Sequence, residues 1–268
     1  MRSLVSDRVQ VTSALGIVQI FAWGSTYCLL AVLSEPIQQD TGWSPTSVTA
    51  GISVGLLASG IVAMRIGKLI QTYGGRPVLA PATVLMAAGL ALLSDAPNVP
   101  VFLLAWGVIG VGMGAGLYDA AFSTLGRIYG SDARRAITAL TLWGGLASTV
   151  CWPLSAYGVE AIGWRGTCLA YGALQIAVLL PLCLLALPGQ APEHPVAEAM
   201  RSVHNPARFD LRFRLISIAG TTLSFNATVW SVLLITILSA SGVTTTDAVS
   251  LGMLIGPAQV GARVFEMA

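Results

Sequence analysis

Charged residues divide this chain into long apolar intervals. Val9–Ser34, Thr41–Met64, Pro77–Ser94, Ala96–Tyr118, Ala136–Glu160, Gly166–Pro192, Leu215–Thr246 and Ala248–Ala262 carry no charge, apart from Glu160, which closes its own interval. Crossing a hydrocarbon core of about 30 Å takes about 20 mostly apolar residues in a helix. Seven intervals are long enough. The eighth becomes long enough if Arg263 at its end snorkels to the headgroups. None shows sustained period-2 alternation, so the spans read as helices and not as barrel strands. The pattern predicts an all-α integral membrane protein with eight spans.

Composition agrees. The 268 residues are 55% hydrophobic and 10% charged, where a soluble domain has about 25% charged. A net charge of +2 is too small to suggest a nucleic-acid partner. Cys28, Cys151, Cys168 and Cys183 all lie in apolar runs and form no C-x-x-C pair, so they read as apolar filler; neither a metal site nor a cofactor is expected. The first apolar run has no small-residue cleavage site and reads as a retained span, not a signal peptide.

The positions of Lys and Arg set the orientation. With the N-terminus inside, the inner segments hold Arg2, Arg8, Arg65, Lys68, Arg76, Arg127, Arg134, Arg135, Arg201, Arg208, Arg212, Arg214 and Arg263, and the outer ones hold Arg165 alone. This asymmetry predicts a multi-pass protein of a bacterial cytoplasmic membrane with a cytoplasmic N-terminus. Trp43 and Trp164 fall at outer junctions and suit an interfacial belt, and Ser44-Pro45 suits the start of the second span.

Loops between the first six spans are short. The segment from Pro188 to Arg212 is long, proline-bearing and basic. Three parts are therefore expected: a six-helix bundle over 1–187, a cytoplasmic linker over 188–212, and an incomplete second bundle over 213–268. SVGLLASGIVAMR from Ser53 and SLGMLIGPAQVGAR from Ser250 share Ser, Gly and Leu at positions one, three and five. The match equates span two with span eight, as a six-helix repeat requires. On that reading the chain stops two helices into its second bundle.

One polar interruption carries a family pattern. GKLIQTYGGRPVL at 67–79 resembles the loop signature of the major facilitator superfamily, roughly G-x-L-a-D-r-x-G-r-[kr]-x-x-l. Gly67, Leu69, Gly74, Arg76 and Leu79 match; Gln71 stands where the family has an acid. The resemblance implies two six-helix bundles, alternating access and an inner gate built by this loop. Arg76 would latch the gate by bonding a helix end or an acid, and Gln71 would weaken it by losing a charge. The alternative is that Lys68 and Arg76 anchor the loop at anionic headgroups.

Subgroup patterns narrow the expectation. WGVIGVG has Trp106 and Ile109 where proton-coupled drug exporters carry Arg and Gln, and GGLASTVCWP has Trp152 before Pro153 where they end in Gly-Pro. By contrast, SEPIQQDTGWSPTSVTAGIS resembles the outer loop and second span of the monocarboxylate and oxalate–formate branch. The resemblance implies secondary active transport of a small organic anion, with a proton or counter-solute as coupling partner. Drug efflux by proton antiport, and a transport-incompetent fragment, are the alternatives.

Candidate working residues follow from position. Asp119 is the acid set within an apolar stretch. It reads either as an ion pair with Arg76 or Arg127, the favoured reading, or as a proton relay facing the cavity. By the resemblance, spans one, four and seven line the solute path. That makes Trp23, Thr26, Tyr27, Tyr118, Asn226 and Trp230 cavity candidates, each also compatible with packing. Arg263 reads as a snorkelling gate residue. The glycines of GVIGVGMGAG lie inside a span and so suit close helix packing, not a phosphate loop. Ser53 in a G-x-S-x-G has no base nearby, and no enzyme activity is expected.

Overall fold

The computed structural model describes residues 2–189 and 211–267, with side chains left out for 2–8, 232, 239, 245, 246, 263, 264, 266 and 267. The described residues are helical, with no strand among them. The helices are α1 (Arg2–Ser25), α2 (Leu29–Thr41), α3 (Pro45–Tyr73), α4 (Arg76–Ser94), α5 (Val99–Gly116), α6 (Tyr118–Tyr129), α7 (Ala133–Gly145), α8 (Ala147–Leu174), α9 (Leu180–Ala186), α10 (Leu211–Ala240), α11 (Thr245–Gly252) and α12 (Ile255–Met267).

Four stretches are long and apolar enough to cross a membrane: Val9–Thr41, Pro45–Tyr73, Arg76–Ser94 and Val99–Ala186. The last, 88 residues long, doubles back twice. It turns at the 3₁₀ segment Gly130–Asp132 and again at Gly163, where φ 72 and ψ 170 break α8 into two halves. Ser155 and the Tyr171 hydroxyl, 2.8 Å apart, join those halves across the turn. These turns divide the described residues up to 189 into six helical passes, and α10 and α11–α12 follow. The linker segment 190–210, with His194, Arg201, His204 and Arg208, and the side chain of Arg263 lie outside the described residues.

Local chemistry explains the ends. Ser44 accepts from the Ser47 N–H at 3.2 Å with Pro45 in the first turn, as expected. Asn98 caps α5 in the same way, accepting from the Val101 N–H at 3.1 Å. The stretch 67–79 corrects the sequence reading. Only Gly74 and Gly75 lie outside helix there, because nothing before Gly74 breaks α3. Gly67, Leu69 and Gln71 sit on the last two turns of α3.

Packing uses the glycines. A side chain at Gly110 would overlap the Gly55 carbonyl, and one at Gly114 would come within 2.5 Å of the Ser59 carbonyl, so α5 crosses α3 backbone to backbone. Gly112 and Gly89 make the same close approach between α5 and α4. Two buried clusters result. One, around Leu33, Leu90, Phe102, Trp106 and Trp152, lies toward the outer end on the charge reading. The other, around Ile70, Leu79, Leu125, Leu140 and Cys183, lies toward the inner end.

The outer end is pinned by one acid. Asp40 accepts from the Trp164 indole N–H at 3.0 Å and pairs with Arg165 at 3.4 Å, while Arg165 donates to the Ser94 carbonyl at 2.7 Å. Arg165 also lies 4.3 Å above the Trp164 ring. Trp164 is therefore buried and hydrogen-bonded, not a lipid-facing belt residue. Asp40 recruits it inward. Trp43 stays half-buried, edge-on to Phe102.

Candidate solute cavity and inner latch

Four passes are broken, and the breaks meet. In the first pass the Thr26 hydroxyl donates to the Ala22 carbonyl at 2.5 Å, and the Cys28 N–H reaches back to Trp23. That local competition loosens the helix between α1 and α2. The fourth pass breaks at Leu117, which is extended (φ −83, ψ −159). The fifth breaks at Leu146 and the eighth at Met253 and Leu254.

Between these breaks lies a cavity of about 180 Å³. Its aromatic walls are Trp23, Tyr27, Tyr118 and Trp152; Thr141, Ser148, Ser231 and Gln259 supply neutral polar groups. Trp23 meets Tyr27 and Tyr118 with ring centroids 5.0 Å apart in each pair. The Tyr27 hydroxyl donates to Thr228 on α10 at 2.8 Å. Tyr118 stacks on Phe122, and its phenol lies against Gly144, where any side chain would overlap it. Across the cavity, Thr149 donates to the Met253 carbonyl at 2.9 Å, freed where the eighth pass breaks.

The structure sorts the sequence candidates. Trp23, Tyr27 and Tyr118 come together on the cavity. Thr26 is fully buried and bends α1 without lining the cavity. Asn226 and Trp230 are exposed on α10 and point elsewhere; Thr228 and Ser231, on its other face, are the residues that meet the cavity side. A one-residue error in helix phase moves a side chain by about 100°, and mid-span position alone does not fix the phase.

Asp119 also differs from expectation. It is exposed in the first turn of α6, and among the described residues no hydrogen bond or ion pair reaches it. Neither Arg76 nor Arg127 pairs with it. Arg127 is buried and turns away, its guanidinium donating to the carbonyls of Ile70, at 3.0 Å, and Gln71. These carbonyls end α3, so a cation from α6 caps that helix. Arg76 is half-buried with Nη1 beside Gly189, and among the described residues no acid or helix-end carbonyl bonds it. The bond to a helix end expected of Arg76 is made here by Arg127. The sequence held one signal for it, a lone arginine within the amphipathic turn STLGRIYG.

The signature glycines have separate roles. Gly74 adopts φ 94 and ψ 171, a conformation open in practice to glycine alone. Gly75 lets the turn press on Thr124 of α6. Gly67 meets nothing closer than Ser123 Oγ, 3.9 Å from where a Cβ would stand.

The sequence pattern of the Major Facilitator Superfamily matches residues 15–265. The chain belongs to this superfamily. Its membership, with the long apolar helices, makes this an integral membrane protein. Curated relatives include the transcription regulatory protein OpdE of Pseudomonas aeruginosa, 26% identical over 77% of this chain and 50% of that protein. Monocarboxylate transporter 9 of Pongo abelii is 29% identical over 59% of this chain and 30% of its own. Human monocarboxylate transporter 11 is 31% identical over 65% and 36%. The chain thus spans half or less of the length of these relatives. A crystal structure of a D-xylose–proton symporter shares the fold, with a TM-score of 0.61 at 14% identity, over 95% of this chain and 66% of that one.

Proposed function

We propose that this superfamily member takes part in secondary active transport of a small organic anion of the monocarboxylate kind, by alternating access. The observation that carries this reading is the cavity at the four helix breaks. Its volume of about 180 Å³ lies below the roughly 300–1,000 Å³ of sites for drug-sized ligands, which favours a small solute. Cys28, Tyr118, Ala147 and Ile255, all on its wall, stand at the N-terminal ends of α2, α6, α8 and α12. Helix N-termini carry partial positive charge, and broken membrane helices use it toward anionic groups. Such ends would offset a carboxylate that the neutral side chains do not pair. The monocarboxylate transporters among the relatives support the same solute class.

In this reading a proton or counter-solute gradient supplies the driving force. Asp119, unpaired next to Tyr118, is the candidate proton carrier. The distribution of arginines supports a bacterial inner membrane and a cytoplasmic N-terminus.

A second reading, proton-coupled exchange of cationic solutes, draws on a different feature. A groove of about 820 Å³ toward the outer end is lined by Glu35 and Glu160, with apolar walls from α2, α8, α10 and α11. The two readings separate in proteoliposomes of the purified chain offered labelled lactate, labelled succinate and a cationic dye. Saturable lactate uptake is expected. Uptake of the dye alone would replace the first reading by the second, and uptake of none would remove both for this chain.

A further inference from the structure

Two glutamines are fully buried in this apolar interior, Gln19 and Gln175. Gln175 holds Ser25 Oγ at 2.9 Å, in the π-helical turn of the sixth pass. Gln19 has the more consequential partners. Its Nε2 donates to the carbonyl of Gly116 at 2.9 Å. Gly116 is the last residue of α5, and the Leu117 break leaves that carbonyl without a normal helical continuation. The Oε1 of the same amide accepts the indole N–H of Trp23 at 3.1 Å. One side chain therefore joins the break in the fourth pass to an aromatic wall of the cavity.

The chain of contacts continues. Trp23 packs on Tyr118, the first residue after the break, and on Tyr27, whose hydroxyl reaches Thr228 of α10. From Gly116 to Thr228 every step is a hydrogen bond or a ring contact. A buried amide left without partners is costly, so an arrangement that satisfies both ends of Gln19 is preferred over neighbouring ones.

We propose that Gln19 is a positioning residue of the cavity. It holds the Trp23 ring and the α5–α6 break in one register, so that Trp23 and Tyr118 form a single wall. An apolar residue of the same shape would fill the space and release both. Trp23 could then swing, and α6 would be free to shift against α1. The meaning of this role rests on reading the cavity as the solute path. The contact itself does not, and its test uses no solute.

Cys28 lines the same cavity, whereas Cys168 and Cys183 are buried elsewhere. The purified chain is treated with N-ethylmaleimide and alkylation of each cysteine is followed by peptide mass spectrometry. Gln19→Met is expected to speed alkylation of Cys28 about tenfold, the scale of one lost buried hydrogen bond, with Cys168 and Cys183 still protected. Trp23→Phe replaces the indole by a smaller phenyl ring and removes the N–H, but leaves the Gln19 bond to the Gly116 carbonyl in place, and should speed it less. The double variant should match Gln19→Met within about twofold, since both changes break one linkage. A Cys28 rate unchanged by Gln19→Met, or a double effect equal to the product of the single effects, would overturn the proposal.

If Gln19→Met exposes Cys183 as well, a spectroscopic signature decides. The ultraviolet resonance Raman difference between the unaltered chain and Trp23→Phe isolates the Trp23 indole. A band at the hydrogen-bonded position supports the proposal, and one at the free position contradicts it.

Discussion

A single arginine caps the end of α3. Arg127 is 7% exposed, and its charge is tolerated there because the carbonyls of Ile70 and Gln71 accept from it. Hydrogen bonds to a charged group contribute about 1.5–3 kcal/mol. Arg127→Met should therefore destabilise the protein by about 2 kcal/mol, read as a lower unfolding temperature in detergent. Gln71 lies where the signature has an acid, and Gln71→Asp would bring a carboxylate to the helix end that Arg127 caps. A gain of about 1 kcal/mol is expected, checked by the same melt, along with slower labelling of cysteine probes at the inner face. Asp119 is the proposed proton carrier. If it carries the coupling proton, Asp119→Asn should abolish lactate uptake driven by a pH gradient while lactate counterflow persists. Loss of both together would assign Asp119 to structure instead. The sequence marked this acid within an apolar stretch but could not settle its partner, since pairing depends on which face of α6 packs inward.

At the scale of elements, the breaks matter more than the helices. Apolar intervals follow from the bilayer penalising charge over a fixed thickness. They did not show that four passes are interrupted. Leu117 and Leu146 are ordinary helix formers, and only the tertiary contacts around them, such as Gln19 on the Gly116 carbonyl, favour the interruption. They also misjudged the 67–79 stretch, since Lys68 and Gln71 are polar but fully compatible with helix at a headgroup level. The true turn is Gly74–Gly75, and its geometry makes a clear expectation. With φ 94 and ψ 171, Gly74→Ala should cost about 1–3 kcal/mol in thermal unfolding, although a Cβ there meets nothing closer than 3.9 Å. Strain, not crowding, would be the cause. Gly67→Ala in a helix with open space should be neutral or mildly stabilising, so the two signature glycines separate cleanly.

For the whole molecule, two bonded ends flank the broken passes. Asp40, Trp164 and Arg165 fasten the outer end, Arg127 fastens the inner one, and the broken passes meet between them around the aromatic cavity. Such an arrangement suits a molecule whose halves rock about a central site. The all-helical membrane fold was legible because it depends on summed hydrophobicity. The cavity was legible only in part: Trp23, Tyr27 and Tyr118 were found, whereas Ser231 and Gln259 were not, because the phase of α10 and α12 is set by contacts and not by pattern. The central claim is that the solute passes this cavity, and lactate counterflow in proteoliposomes tests it most directly. Gly144→Ala should push the Tyr118 phenol into the cavity and lower counterflow at least about tenfold, while Gly60→Ala, which meets open space, should leave it unchanged. Counterflow that proceeds equally in both variants would contradict the account.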